Sequence, residues 1–591
     1  MAWYDETSFY HIYPLGLTGA PKKNEYGEPV HRLNTLIPWI SHIKELGCGG
    51  IYIGPLFESV GHGYETTDYK KVDSRLGTNE DLTNFVKECH EQGIKVVLDG
   101  VFNHTGRDFF AFQDIKKNRE NSRYLHWYCN VNFWGNTEYN DGFSYENWGG
   151  YNLLVKLNQR NPEVQNFICD VIRFWVEEFD IDGIRLDAAD VLDFEFMKVL
   201  RQTTNQVKED FWLMGEVIHG DYTRWVNGST LHAVTNYTLH KALYSGHNDH
   251  NYFEIAHTVK RLWDMAGGNI FGLRLYNFAD NHDVERIYTK LSNKAHMVPV
   301  HVLMYTLPGV PAIYYGSEFG IEGRKVRGND DILRPCLDLN HIPAPEAAKG
   351  FVSVIKALGK ARKECKALSY GSYKELMLTT TQYAFERSIE GETAVVTVNN
   401  SDQDATMNFG TSGYGKYIGA LSGTVMSVEN GRVSVTVKAN SGEVWLPLND
   451  ATGTYEPVEY KVPVKEEPVV EAQVGKAGVV GTVVAGTSGA GTSGASVAGA
   501  GVTGVSVAGA SVTGASMAGA GTGSFGGNAE GNGIPQQIRT GIPYEEMTIE
   551  ELQFCIIEKM RKNGPVTDQM RRTVVENTHH GSLMNWVRSF R

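Results

Sequence analysis

A closed (β/α)8 TIM barrel followed by a small antiparallel β domain is the fold that this chain of 591 residues predicts. Three observations predict it. Short β-branched or aromatic runs alternate with longer helical stretches through the first half, the pattern of a parallel α/β fold. The runs number eight, the count a closed barrel needs. Three carboxylates, Asp187, Glu216 and Asp283, each stand near the end of one of these runs. A barrel of about 250 residues in eight units has roughly 30 residues per unit, so the three acids are placed like strand ends pointing into one pocket.

The runs, in order, are FYHIYPL, GGIYIGPL, KVVLDGVF, IDGIRLDA, FWLMGEV, HAVTNYTL, FGLRLYNFAD and VPAIYYGSE, within a barrel domain spanning 1–367. Between the third run and the helix pattern NPEVQNFICDVIRFWVEEF lies an aromatic-rich insertion from about 104 to 158. An excursion of that length from a strand's C-terminal end predicts a subdomain over the pocket, and its Trp127, Trp134 and Trp148 are expected to fill its core. From 368 to 448 the pattern changes to short alternating runs such as YAFERSI and RVSVTVKA, which predict a β-sandwich. Residues 449–541 read as a linker that includes a Gly/Ala/Ser/Thr/Val repeat (SVAGA at 496 and 506, SMAGA at 516), too poor in large side chains to offset chain entropy and so expected to be disordered. The tail, 542–591, regains helical character, with Thr548 and Glu551 spaced as a capping box and Asn563-Gly564-Pro565 as a stop. It carries no recognisable chemistry and is expected to be a helical module that docks a protein partner.

Composition narrows the function. A formal net charge of -14 argues against a nucleic-acid partner, which needs a basic face. No stretch predicts a transmembrane segment, the first residues lack the layout of a secretory signal, and the seven scattered cysteines form no CxxC pair. Reduced thiols in a cytoplasmic protein are the expectation.

Three acids around one pocket suit a reaction with a cationic transition state and a proton to deliver, such as cleavage of a sugar–sugar bond. Side chains alternate along a barrel strand, so Arg185 and Asp187 face the same way, and the guanidinium is expected to hold Asp187 ionised as a nucleophile. Glu216, sharing a partly dry pocket with two other carboxylates, is expected to have the raised pKa of a general acid. Asp283 would stabilise the developing positive charge. Asp190 and Asp193, just past the nucleophile, read as helix caps or surface groups.

LDGVFNHTG (Asp99, Asn103, His104), GIRLDAAD (Arg185, Asp187), MGEV (Glu216) and DNHD (His282, Asp283) follow one another in the order found in the α-amylase family of glycoside hydrolases, which the chain resembles over about 1–448. HGYETTDY, with Tyr64, resembles the family's tyrosine-bearing loop, and VKLN at 155–158 resembles the neopullulanase and cyclomaltodextrinase branch. The resemblance implies a retaining hydrolase of α-1,4-glucosidic bonds in maltodextrins. It places His104 and His282 beside the reacting sugar, gives Tyr64 an aromatic face against it, and makes Asp330 and Arg334 an acid–arginine pair on the donor side. No cofactor is required, although relatives suggest a calcium ion with Asn103 as a ligand. The partner is an α-glucan oligosaccharide. The chain departs from its branch at Ile218, where an aromatic residue is usual two positions after the acid. α-Glucosidase, cyclomaltodextrinase or transglycosylase activity at the same site is one alternative, and a non-catalytic glucan-binding scaffold another.

Overall fold

The computed structural model describes residues 2–265, 267, 273–413, 415–449, 452–460 and 548–563, with 574, 583 and 587 beyond. The chain divides into two compact units, 1–473 and 474–591. The repeat expected to be disordered, and most of the helical tail, lie outside the described residues.

Eight parallel strands form the barrel of the first unit: β1 (Phe9–Ile12), β2 (Gly50–Ile53), β3 (Lys95–Gly100), β4 (Gly183–Leu186), β5 (Trp212–Gly215), β6 (Ala233–Val234), β7 (Tyr276–Phe278) and β8 (Val310–Tyr314). Each lies within one of the eight predicted runs. Their order around the sheet is β6-β5-β4-β3-β2-β1-β8-β7, and a parallel bridge between Thr235 and Tyr276 brings the two ends together. The strands are buried on both faces, between the barrel interior and the surrounding helices, so they read as continuous apolar runs. Phe9, Tyr52, Trp212, Tyr276 and Phe278 fill the interior, with the Phe9 and Trp212 rings stacked at 4.6 Å. Gly50 makes room for them, because a Cβ there would stand 2.6 Å from the Phe9 ring.

The helices obey their local sequence. Thr78 and Asp81 make a reciprocal capping box for helix Asn79–Glu91. Asn161 caps helix Pro162–Phe179, which opens on proline and ends at Asp180 in the left-handed region at φ 55°. Asp193 caps helix Phe194–Val207 through two backbone N–H groups, the role its spacing predicts.

The insertion forms a three-stranded sheet (His104–Gly106, Tyr151–Lys156, Asn147–Trp148) with a helix at Phe110–Asn118. Its core is Phe112, Phe143, Tyr145 and Trp127. The expectation that all three tryptophans are core needs correcting. Trp134 is 98% exposed and Trp148 38% exposed, the latter with its ring 6.1 Å from that of His104. Smaller aromatic residues already fill the space inside this short insertion.

The β domain is a six-stranded antiparallel sheet with a two-stranded ribbon. The strands are β9 (Ser372–Leu378), β10 (Gln382–Ile389), β11 (Glu392–Asn399), β12 (Ala405–Gly410), β13 (Lys416–Gly419), β14 (Val425–Ser427), β15 (Arg432–Val437) and β16 (Ser441–Pro447). The sheet order is β9-β10-β11-β16-β13-β14, and β12 pairs with β15. Between them pack Val395, Met407, Phe409, Tyr417, Val433 and Trp445.

Residues 452–460, read from sequence as linker, belong to the folded unit. Tyr455 is buried and donates to Glu364 at 2.6 Å, Lys360 donates to the Thr454 carbonyl at 2.6 Å, and Val458 donates its N–H to the Leu421 carbonyl at 2.9 Å. The proline- and glutamate-rich composition hides two tyrosines that anchor the segment, Tyr455 and Tyr460.

In the second unit, Thr548 and Glu551 form the predicted reciprocal cap at the start of helix Ile549–Asn563. Leu552, Ile556 and Ile557 pack with Val574, Leu583 and Val587. Among the described residues, no helix is long and apolar enough to cross a membrane.

Candidate active site

The predicted acids come together where strand ends meet. Asp99 is inside the end of β3, Arg185 on β4, Asp187 just beyond β4, and Glu216 just beyond β5. Asp283 follows β7 by a short loop. At the centre stands Arg185, almost wholly buried. Its Nη1 donates to both Asp99 oxygens (2.8 and 3.0 Å) and to Asp187 Oδ1 (3.0 Å), while Nη2 lies 2.9 Å from Glu216 Oε2. One guanidinium therefore serves three carboxylates, and the i, i+2 spacing of Arg185 and Asp187 puts both on the pocket face, as alternation predicts.

The electrostatics differ in one respect from the expectation. Burial pushes Asp187 well above the ordinary carboxylate range. Arg185 opposes this, but Glu216, Asp99 and Asp283 add to the rise. Arg185 thus favours the ionised form of Asp187, but its charge is divided among three acids. Glu216 is raised as expected, first by burial and then by Asp283, against Arg185. Its Oε2 also accepts from the Ala188 N–H at 3.2 Å, and its Oε1 from the Tyr237 hydroxyl at 3.3 Å. Burial raises Asp99 too.

Asp283 goes the other way. Burial alone would lift it, but His282, Arg334 and Arg185 outweigh burial and hold it low, at about 2. Arg334 Nη2 lies 2.8 Å from Asp283 Oδ1 and 3.5 Å from Asp330 Oδ2, and its Nε donates to the His282 carbonyl at 3.0 Å. The predicted Asp330–Arg334 pair is present, and the arginine's shorter contact is to Asp283. Its guanidinium also lies over the Tyr13 ring at 4.5 Å.

Tyr64, His104 and His282 frame the same pocket. Burial lowers both imidazoles, His104 and His282 each to about 3, and Asp283 opposes the drop at His282. His282 Nε2 is 2.5 Å from the Tyr64 hydroxyl and 3.1 Å from Asp283 Oδ2, and Tyr64 can donate onward to Asp99 at 3.3 Å. The Tyr64 and His282 rings are near-parallel at 5.8 Å. His104 Nε2 meets the Tyr64 carbonyl at 3.1 Å.

Asn103 is engaged by neighbouring side chains. Its amide oxygen accepts from Gln159 at 3.1 Å and its nitrogen faces His104 Nδ1 at 3.2 Å, so the side chain is occupied in orienting His104. Among the described residues, no group of three or more His, Cys, Asp or Glu side chains could hold a metal.

Several contributors were not singled out from sequence. Tyr52 donates to Asp99 at 3.0 Å, Tyr13 supports Arg334, and Tyr237 and Asn281 border Glu216 and Asp283. Asp99 was visible in LDGVFNHTG without an assigned role; the tyrosines belong to no motif.

Comparison with known proteins bears on the family and the fold. Residues 23–372 match the family model described as alpha amylase, catalytic domain. The chain is 31% identical over 424 residues to a cyclomaltodextrinase of Thermoanaerobacter pseudethanolicus, covering 68% of this chain and 71% of that protein. It is 29% identical over 471 residues to neopullulanase 2 of Thermoactinomyces vulgaris, covering 75% and 78%. A solved debranching enzyme of Nostoc punctiforme superposes with a TM-score of 0.64 at 25% identity, covering 75% of this chain and 98% of that one.

Proposed function

The chain belongs to the α-amylase family of glycoside hydrolases, and from that premise we propose that it cleaves α-1,4-glucosidic bonds of short maltodextrins by a retaining double displacement. Asp187 is the proposed nucleophile and Glu216 the proposed acid and base. The observation that carries this reading is the single guanidinium of Arg185 shared by the two carboxylates, at 3.0 and 2.9 Å, from the ends of adjacent strands.

In the first step an Asp187 oxygen attacks the anomeric carbon. The carbon–oxygen bond to the leaving sugar breaks, its electron pair stays on that oxygen, and Glu216 delivers the proton. In the second, Glu216 as carboxylate takes a proton from water, the water oxygen attacks the same carbon, and Asp187 departs. The ionised Asp187 and Asp283 carboxylates favour the cationic transition state. That developing charge also favours the ionised form of Asp187, opposing the rise that burial imposes. Asp283, held ionised, faces the cation. Tyr64, His104 and His282 would bind the reacting sugar, with Arg334 and Asp330 on the donor side.

Retention is the test. Proton NMR in the first minutes of maltodextrin hydrolysis should record α-anomeric reducing ends before mutarotation mixes them, and β-anomers first would exclude Asp187 as nucleophile. The relatives named cyclomaltodextrinase make cyclomaltodextrins a second proposed substrate. Ile218, half in solvent beside the acid, offers an acceptor sugar no aromatic face, which favours water over sugar as the second-step acceptor. Products longer than the starting dextrin in a time course would reverse that preference.

A further inference from the structure

Glu216 is tied to the Asp283 loop by an unbroken chain of side chains. The N–H groups of Asp283 and Val284 donate to Asn281 Oδ1 at 2.8 and 3.1 Å. Asn281 Nδ2 donates to the Tyr237 hydroxyl at 3.1 Å, and the hydroxyl lies 3.3 Å from Glu216 Oε1. The order of the bonds decides their direction. An amide Nδ2 has only protons to give, so it occupies a lone pair of the Tyr237 oxygen and leaves the hydroxyl proton to point at Glu216 when that carboxyl is ionised. The Tyr237 ring is held edge-on against Phe278 of β7 at 5.0 Å, which fixes where the hydroxyl sits.

We propose that Tyr237, oriented by Asn281, is the positioning residue that aims Glu216 and sets its proton affinity. The proposal rests on the reading of Glu216 as the acid and base. A hydroxyl donating to a carboxylate stabilises the ionised form, so Tyr237 lowers the proton affinity that burial and Asp283 raise. It thereby keeps Glu216 between two needs, protonated for bond cleavage and ionised for activating water. With Arg185 and the Ala188 N–H on Oε2 and Tyr237 on Oε1, the carboxyl plane has one orientation. Because Asn281 also fixes the turn that carries Asp283, the third acid and the proton donor move as one unit.

The experiment compares kcat/KM across pH for two substrates: maltotriose, whose leaving sugar must be protonated, and α-maltosyl fluoride, whose leaving group needs no proton. Tyr237→Phe removes one oxygen and keeps the ring. It should reduce kcat/KM on maltotriose roughly tenfold, a fraction of the 10²–10⁴ that a whole acid–base group contributes. It should also raise the alkaline limb by about one pH unit, the equivalent of one hydrogen bond to a charged group, while leaving kcat/KM on the fluoride within about twofold. Incorporating 3-fluorotyrosine at 237 decides the matter if the phenylalanine variant does not fold. Burial holds the Tyr237 hydroxyl far above its ordinary pKa, so the more acidic phenol stays protonated and becomes a stronger donor, and the limb should move down.

An alkaline limb unmoved by either change, or equal losses on both substrates, would overturn the proposal. Glu216→Gln is measured alongside: it should abolish most activity on maltotriose and spare the fluoride. Equal loss on both substrates there would bring down the acid assignment itself, and the proposal with it. Preserved discrimination by Glu216→Gln with none by Tyr237→Phe would reject the role of Tyr237 alone.

Discussion

The two ends of β4 carry buried aspartates, five residues apart, under opposite conditions. Asp182, just before the strand, is 2% exposed and meets His90 at 2.6 Å, Lys95 at 2.9 Å, Lys208 at 2.9 Å and the Val96 N–H at 2.9 Å. Burial would raise it, but these partners hold its carboxyl well below the usual range. Asp187, just after the strand, has one oxygen on an arginine shared with two other acids, and burial drives it up. Same residue type, same strand and similar burial give a structural acid at one end and a reactive one at the other. The number of cations per carboxylate makes the difference. Barrels keep chemistry at the C-terminal ends of their strands and stability at the other, and here the division can be read from the ratio of charges.

The largest expected effect breaks the reactive end. Asp187→Asn should lower kcat on maltodextrin by about 10³-fold or more, with the fold kept. Stability should move the other way. A carboxyl whose folded pKa is raised opposes folding above its ordinary value near 4, increasingly as pH rises toward the folded pKa. The melting-temperature advantage of Asp187→Asn should therefore be absent near pH 3.5 and grow toward pH 7. A variant less stable than the parent at pH 7 would contradict the contrast.

Next, Arg185→Lys keeps the charge but gives up the planar fork that reaches three carboxylates, and kcat should fall about 10²-fold. Near-parental activity would mean that the charge alone suffices.

At the other end, Asp182→Asn should cost about 2 kcal/mol in denaturant unfolding, less than a fully buried pair because its cations remain partly in water. Its kcat should be unchanged. The sign is opposite to that of Asp187: a depressed folded pKa gives stability that is complete above the ordinary carboxylate value and lost as pH falls through the folded one. Acid unfolding of the parent should converge with that of the variant below pH 4.

The smallest effect tests redundancy. Lys95→Met removes one of the two lysines on Asp182 and should change unfolding by about 0.5 kcal/mol, since Lys95 is 41% exposed and Lys208 and His90 remain. A change as large as that of Asp182→Asn would show that the partners do not share the load.

All eight strands were legible because a strand buried on both faces must be continuously apolar, and the three acids because each ends such a run. The contrast between Asp182 and Asp187 was not. Both stand in IDGIRLDA, and the partners that separate them come from a helix (His90), the start of β3 (Lys95) and the residue after another helix (Lys208). Adjacency of Asp187 to Arg185 is visible in sequence, whereas the division of that charge among Asp99, Asp187 and Glu216 appears only when three strand ends meet. Trp134 and Trp148 were misplaced for a similar reason: aromatic content shows how much could be buried, not which rings the available volume accepts. Tyr237 and Asn281 carry no motif of their own, because their role lies in the direction of a hydroxyl proton.

The pairing of β1 with both β2 and β8, Phe9 beside Gly50 and beside Ala312, sets a schedule for synthesis. The first strand emerges early and finds one neighbour soon, but its other edge stays open until nearly the whole barrel has left the ribosome. Thermodynamically the wait matters little, since each doubling of a closed loop adds only about 0.6 kcal/mol. Kinetically it matters more, because ring closure joins the two most distant strands of the sheet and slows folding as such non-local pairings do. Meanwhile Phe9 and Trp212 face no finished interior, and the open edge can capture another chain. A nascent chain stalled before β8 would be an adhesive, unclosed sheet, and a protease cut that removes β8 would yield no smaller working barrel.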